Sequence, residues 1–148
     1  MRDAAKVHQL LKHGADVNAR DSEHNETLLI LAAKFANVVM TRLLLNAKAE
    51  VNARDDSGRT ALFFAPVSSE VFKDLLEAGA NVQARDNEGN TILLRKVSES
   101  PSLGEVEKLL ALGIDPSLRN AEGEMALDIA ESLGLVKIVE RLRSATAV

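Results

Sequence analysis

Gly14-Ala15-Asp16-Val17-Asn18-Ala19-Arg20-Asp21 decides how this chain is read, because the phrase comes back. It recurs as Lys48-Ala49-Glu50-Val51-Asn52-Ala53-Arg54-Asp55 and as Gly79-Ala80-Asn81-Val82-Gln83-Ala84-Arg85-Asp86. A weaker copy stands at Gly113-Ile114-Asp115-Pro116-Ser117-Leu118-Arg119-Asn120. The copies begin 34, 31 and 34 residues apart. A period in this range marks stacked supersecondary units, each burying its apolar face against the next, rather than one closed core. A stack of this kind implies a surface and no deep cleft, so it favours a binding scaffold over an enzyme.

The 148 residues hold roughly four and a half such units. The hydrophobic fraction of 46% comes mainly from Leu, Ala and Val, with four Phe and neither Trp nor Tyr, which suits closely packed helices. A net charge of −4 argues against a nucleic-acid partner, which needs clustered Lys and Arg. Cysteine is absent, which excludes disulfides, a thiol nucleophile and cysteine-ligated zinc. The longest apolar run, Leu28 to Ala33, falls far short of the ~18 residues a membrane helix needs. The first residues show no signal-peptide core. No membrane association, a monomer and a cytoplasmic setting are the default expectations.

Each unit carries the same signals in the same order. A turn comes first: Asp55-Asp56-Ser57-Gly58, Asp86-Asn87-Glu88-Gly89, Asn120-Ala121-Glu122-Gly123. The turn Asp21-Ser22-Glu23-His24-Asn25 is one residue longer and places Asn25, the next best left-handed residue, where Gly is expected. Thr27, Thr60 and Thr91 then open a short apolar helix through a hydroxyl cap, whereas Met125 in the last unit has no such group. A second helix follows with Leu10-Leu11, Leu44-Leu45, Leu75-Leu76 or Leu109-Leu110, and Leu142 alone in the last copy. Gly14, Gly79 and Gly113 read as helix stops. Lys48 takes that place once, either held at positive φ or at a helix end of another kind.

This order of signals resembles the ankyrin repeat over nearly the whole chain. The resemblance implies an all-α fold: an ankyrin-repeat solenoid of stacked helix-turn-helix units with protruding β-hairpin loops. It implies one domain over 1–148, with a partial N-terminal repeat at 1–20, repeats at 21–54, 55–85 and 86–119, and a C-terminal capping repeat at 120–148. It also implies a curved slab whose concave face, made of hairpin tips and first helices, binds another protein. No catalytic residue, cofactor or metal is expected.

Several places depart from the family pattern. Its Thr-Pro-Leu-His becomes Thr27-Leu28-Leu29-Ile30, Thr60-Ala61-Leu62-Phe63, Thr91-Ile92-Leu93-Leu94 and Met125-Ala126-Leu127-Asp128, with Pro and His missing from every copy. Apolar burial must then hold neighbouring units together in place of histidine hydrogen bonds. The first unit has a second helix, Asp3 to His13, with no first helix before it, which reads as a fragment or as a short natural cap. Pro66 ends one first helix early, and Ser69 can cap the helix after it. Ser102 and Glu105 match a capping box. Arg95 and Lys96 stand where apolar or small residues belong, so residues 92–99 are expected to be the least stable first helix. The tail Ser144 to Val148 is expected to fray.

The candidate partner-binding residues are Arg20, Glu23, Glu26, Phe35, Arg54, Asp56, Ser57, Arg59, Arg85, Asn87, Glu88 and Asn90. Phe35 stands out as an aromatic at a variable first-helix end, either displayed to a partner or folded into a groove between units. The recurring Arg-Asp pairs put Arg20, Arg54, Arg85 and Arg119 beside Asp21, Asp55, Asp86 and Asn120 in two outward rows, as a salt-bridged ladder or as partner contacts. Acidic turns point to a basic patch on the partner. His8, His13 and His24 do not converge on a metal. Alternative functions are a regulatory or inhibitory subunit of an enzyme, or a piece of a larger multidomain protein. By family resemblance Asn18 with Leu10, and Asn52 with Leu44, also fit substrates of asparaginyl hydroxylation.

Overall fold

The computed structural model describes residues 2–146. They form two compact units that meet in the sequence between Asn81 and Val82. The first unit contains α1 (Arg2–Lys12), α2 (Leu28–Lys34), α3 (Val38–Asn46), α4 (Ala61–Phe64) and α5 (Glu70–Glu77). The second contains α6 (Ile92–Glu99), α7 (Leu103–Ala111), α8 (Ala126–Ser132) and α9 (Val136–Thr146).

Both units are built in two layers. In the first, the first helices α2 and α4 stack on each other, the second helices α1, α3 and α5 form the other layer, and α2–α3 and α4–α5 are the pairs within repeats. In the second, α6 stacks on α8 and α7 on α9, with α6–α7 and α8–α9 as the pairs. The described residues contain helices and turns with no regular strand. The protruding hairpins reduce to turns, two of which carry an isolated antiparallel bridge, Arg20–Thr27 and Arg85–Thr91.

The apolar repeat positions are the buried ones. Leu29, Ile30, Leu44, Leu62, Val71 and Leu75 are enclosed in the first unit, and Ile92, Leu93, Leu94, Val106, Leu109 and Leu142 in the second. Each such side chain contributes roughly 1.5–3 kcal/mol. At the family's histidine position Ile30 and Leu94 are buried as expected, but Phe63 and Asp128 are only half-buried.

The caps follow the sequence in part. Thr27 Oγ1 accepts from the Ile30 N–H at 3.3 Å and Thr91 Oγ1 from the Leu94 N–H at 3.4 Å. Thr60 departs from them: its hydroxyl is buried with no hydrogen-bond partner. Met125 makes no such cap; the Asp128 carboxylate instead reaches back to accept from the Met125 N–H at 2.9 Å. Ser69 caps α5 through the Phe72 N–H at 3.1 Å. Ala65 adopts the extended backbone that a following Pro66 imposes, so α4 stops after one turn.

Other sequence expectations also meet a different structure. Ser102 sits at the N-cap of α7, but its hydroxyl caps nothing, and Glu105 instead lies 4.0 Å from Lys96 Nζ. Residues 92–99 form an eight-residue helix with four buried apolar residues, whereas α4 has only four residues. Arg95 and Lys96 lie half-buried within α6, and amide exchange is the measurement of its stability. Ser144 to Thr146 continue α9 rather than fray, and Ala147 and Val148 lie outside the described residues. The outward Arg-Asp ladder is another, taken up below. Lys48 does take the left-handed place of its glycine equivalents, at φ 67°, and Asn25 does the same at φ 58°.

Candidate protein-binding face

The recurring aspartates build the turns from inside. Asp55 Oδ1 accepts the N–H groups of Ser57 at 2.9 Å and Arg59 at 2.8 Å. Asp86 Oδ1 accepts those of Glu88 and Asn90, both at 2.9 Å. Asn120 repeats the pattern with Glu122 and Glu124, and Asp21 with Glu23 and His24. A short side chain that bonds the backbone two residues on is how Asp and Asn stabilise a turn. Asp55 and Asp86 are buried by this use, so they do not form an outward row.

Two arginines of the phrase, Arg20 and Arg85, tie successive turns together. Arg20 Nη1 donates to the carbonyls of Asn25 at 2.9 Å and of Arg54, in the next turn, at 2.7 Å. In the second unit Arg85 donates to the carbonyls of Gly89 and Arg119, and Arg119 to that of Gly123. A guanidinium with five donors can hold two carbonyls at once, which an ammonium does less well. The expected Arg-Asp ladder is thus replaced by arginine-to-carbonyl staples. Side-chain amides add a second staple. Asn52 donates to the Gly79 carbonyl at 3.1 Å and accepts from the Asn81 N–H at 2.8 Å. Gln83 does the same with Gly113 and Asp115, and Asn18 accepts from the Glu50 N–H. The Asn18 and Asn52 amides are therefore committed to the fold, while Leu10 is exposed and Leu44 buried.

A buried carboxylate needs a cation, and the two units place it differently. In the first, Arg59 reaches Asp55 at 3.0 Å and lays its guanidinium over the Phe64 ring, 4.6 Å from the centroid. Lys34 stands 5.5 Å from the same ring while pairing with Glu26 at 3.1 Å. In the second, Asn90 occupies the place of Arg59 and Arg95 that of Phe64. Arg95 reaches back to Asp86 at 2.7 Å and also holds Glu88 and Glu99. Burial opposes the charge on Arg95, but the hydrogen bond to Asp86 and the surrounding carboxylates outweigh it and raise its pKa. The Asp21 carboxyl is held below the ordinary aspartate value, chiefly by the His24 N–H. Asp115 is lowered by the Ser117 hydroxyl, then by the Ser117 N–H.

The candidate contacts sort by unit. Arg20, Glu23, Phe35, Arg54, Asp56 and Ser57 are exposed in the first unit, and Arg59 is half-buried against Phe64. Phe35 is 76% exposed, which decides between its two readings in favour of display. It follows the last turn of α2 and precedes Ala36, a non-glycine residue at φ 49°. In the second unit Arg85, Asn87 and Glu88 are exposed. Two expectations fail. Glu26 is only 2% exposed, because Lys34 neutralises it in place, and Asn90 is buried over Asp86. Neither is open to a partner. Phe64 and Arg95 were missed, although the exchange of Arg59 for Asn90 was a visible signal that Asp86 needed another cation.

The second unit also has a groove of about 300 Å³ lined by Glu88, Arg95, Asn120, Glu122, Glu124 and Ile129. Among the described residues no group of three or more His, Cys, Asp or Glu side chains is placed to hold a metal ion. Among the same residues no helix is long and apolar enough to cross a membrane.

Comparison with known proteins agrees with this geometry. A family model described as ankyrin repeats in three copies matches residues 2–86, and another, described as ankyrin repeats in many copies, matches residues 75–130. The chain is 40% identical over 75 residues to the neurogenic locus Notch protein of Drosophila melanogaster, covering 49% of this chain and 3% of that protein. It is 42% identical over 65 residues to ankyrin repeat and SOCS box protein 6 of Mus musculus, covering 43% and 16%. Against the tyrosine-protein kinase Shark of Drosophila melanogaster it is 31% identical over 138 residues, covering 92% and 15%. The chain spans at most 16% of the length of these relatives.

Proposed function

We propose, from the premise that this chain belongs to the ankyrin-repeat family, that it binds another protein through its turns and first helices and performs no catalysis of its own. Ankyrin repeats are protein–protein interaction modules. The observation that carries the finer reading is Phe35, a large aromatic displayed at the end of α2. Aromatic and arginine side chains on a rigid backbone are the usual anchors of protein interfaces. Arg20, Arg54, Asp56 and Ser57 are exposed in the same unit and are the polar side chains proposed to join it.

Affinity capture with the native protein and with a Phe35→Ala, Arg54→Ala variant tests this. Loss of a partner by the variant is the expected result; equal recovery of every partner contradicts it. A second reading is that the module serves as the regulatory or docking part of a larger protein, supported by the small share of each relative that it matches.

A further inference from the structure

We propose that Ser100 is a phosphorylation site for a proline-directed serine/threonine kinase. Three repeats join their first helix to their second through three residues. Phe35-Ala36-Asn37 joins α2 to α3, Ser100-Pro101-Ser102 joins α6 to α7, and Leu133-Gly134-Leu135 joins α8 to α9. The first and last of these turns are closed. Ala36 and Gly134 take left-handed backbone, at φ 49° and 67°. The Ala36 and Asn37 N–H groups donate to the carbonyls of Ala33 and Ala32 at 3.0 and 2.8 Å. Those of Gly134 and Leu135 donate to Glu131 and Ala130 at 3.1 and 2.9 Å. The middle turn is open. Pro101 has no N–H, and among the described residues the Ser102 N–H makes no backbone hydrogen bond. Ser100 leaves the helix at φ −149°, ψ 69°, and Ser102 is extended at φ −135°, ψ 121°.

These features fit one enzyme class. A protein kinase takes its substrate as an accessible, non-helical segment laid across the catalytic aspartate, which accepts the hydroxyl proton. Residues 98–102 are exposed without a break. A kinase site that offers no partner to the N–H of the residue after serine selects proline there, because proline carries none. That condition singles out Ser100. Ser98 is followed by Glu99, and its hydroxyl donates to the Arg95 carbonyl at 3.1 Å; Ser102 is followed by Leu103 at the start of α7. ATP is the donor. The bond from its γ-phosphorus to the bridging oxygen breaks, Ser100 Oγ takes the phosphoryl group, the serine proton passes to the kinase aspartate, and ADP leaves. Ser100 is the counterpart of Phe35, so the modification places a charge of about −2 where the first unit displays its aromatic ring. An effect on partner binding rests on the function proposed above; the site itself does not.

The test incubates the full chain with ATP and, in separate reactions, a cyclin-dependent and a mitogen-activated protein kinase, then maps the product by mass spectrometry. One phosphoryl group on Ser100 is the expected product. Ser100→Ala is expected to abolish it, and Pro101→Ala to slow it by about tenfold or more. Both positions are exposed, so the fold survives these changes, and circular dichroism checks this. A peptide copying residues 95–106 is the control for access. The folded chain is expected to react about as fast as the peptide, whereas a segment that must first unfold reacts only in proportion to its open fraction. No modification by either kinase, modification of the peptide alone, or equal rates for the native chain and Pro101→Ala each overturns the proposal. So does a phosphate found on Ser98 or Ser102 in place of Ser100.

Discussion

The two units solve one problem with opposite residues. Each buries an aspartate under a turn and must neutralise it. The first unit takes Arg59 from the turn and spreads it over Phe64. The second puts Asn90 in the turn and draws Arg95 from the helix. Asn120, in the next turn, avoids the need by carrying no charge. The difference shows that a cation at an apolar helix position is not a defect when the charge it answers lies one turn away. It also sets the character of the two surfaces. The first keeps an aromatic face, with Phe35 and Phe64; the second presents carboxylates around Arg95, with Glu88 and Glu99 exposed.

The largest expected effect separates packed from open copies of one position. Leu109→Ala should cost about 2–5 kcal/mol in urea unfolding, because a buried leucine leaves a cavity. Leu10→Ala should stay within about 0.5 kcal/mol, as surface changes do. Equal losses would mean that α1 is covered. Next comes the charge exchange. Arg95→Leu should destabilise by about 2–4 kcal/mol by leaving Asp86 without its cation. Adding Asp86→Asn, which copies Asn120, should restore most of that loss. A double variant no better than the single one breaks the compensation argument.

A smaller effect compares the threonines. Thr91→Val removes a cap and should cost about 1 kcal/mol. Thr60→Val removes a hydroxyl with no partner and should be neutral or slightly stabilising. Similar losses at both sites would show that Thr60 is bonded in solution. The smallest effect is in the titrations. Asp21 and Asp115 have folded pKa values below the ordinary aspartate value, so each contributes stability above the unfolded pKa and loses it as pH falls through the folded one. Carboxyl NMR should find both midpoints lowered. Ser117→Ala should raise that of Asp115 and leave Asp21 unchanged.

The fold was legible in the sequence because its signals are local and repeated. Glycine stops, threonine openings and paired leucines each act within one turn of the chain, and Pro66 and Ser69 acted where expected. What stayed hidden depends on which way a side chain turns. The Arg-Asp phrase looks like an ion-pair ladder until the aspartate is seen to bond its own turn and the arginine the next one. Glu26 and Asn90 look like tip residues because sequence position does not reveal that Lys34 and Asp86 draw them inward. Arg95 looked disruptive because its charge was weighed without Asp86.

The most direct measurement is amide exchange of the native protein, free and bound to a partner recovered by affinity capture. Slowed exchange over 28–36 and 55–60, with α3 and α5 unchanged, is the expected result. Slowing confined to α3 and α5, with residues 28–36 unaffected, would contradict binding through the turns and first helices.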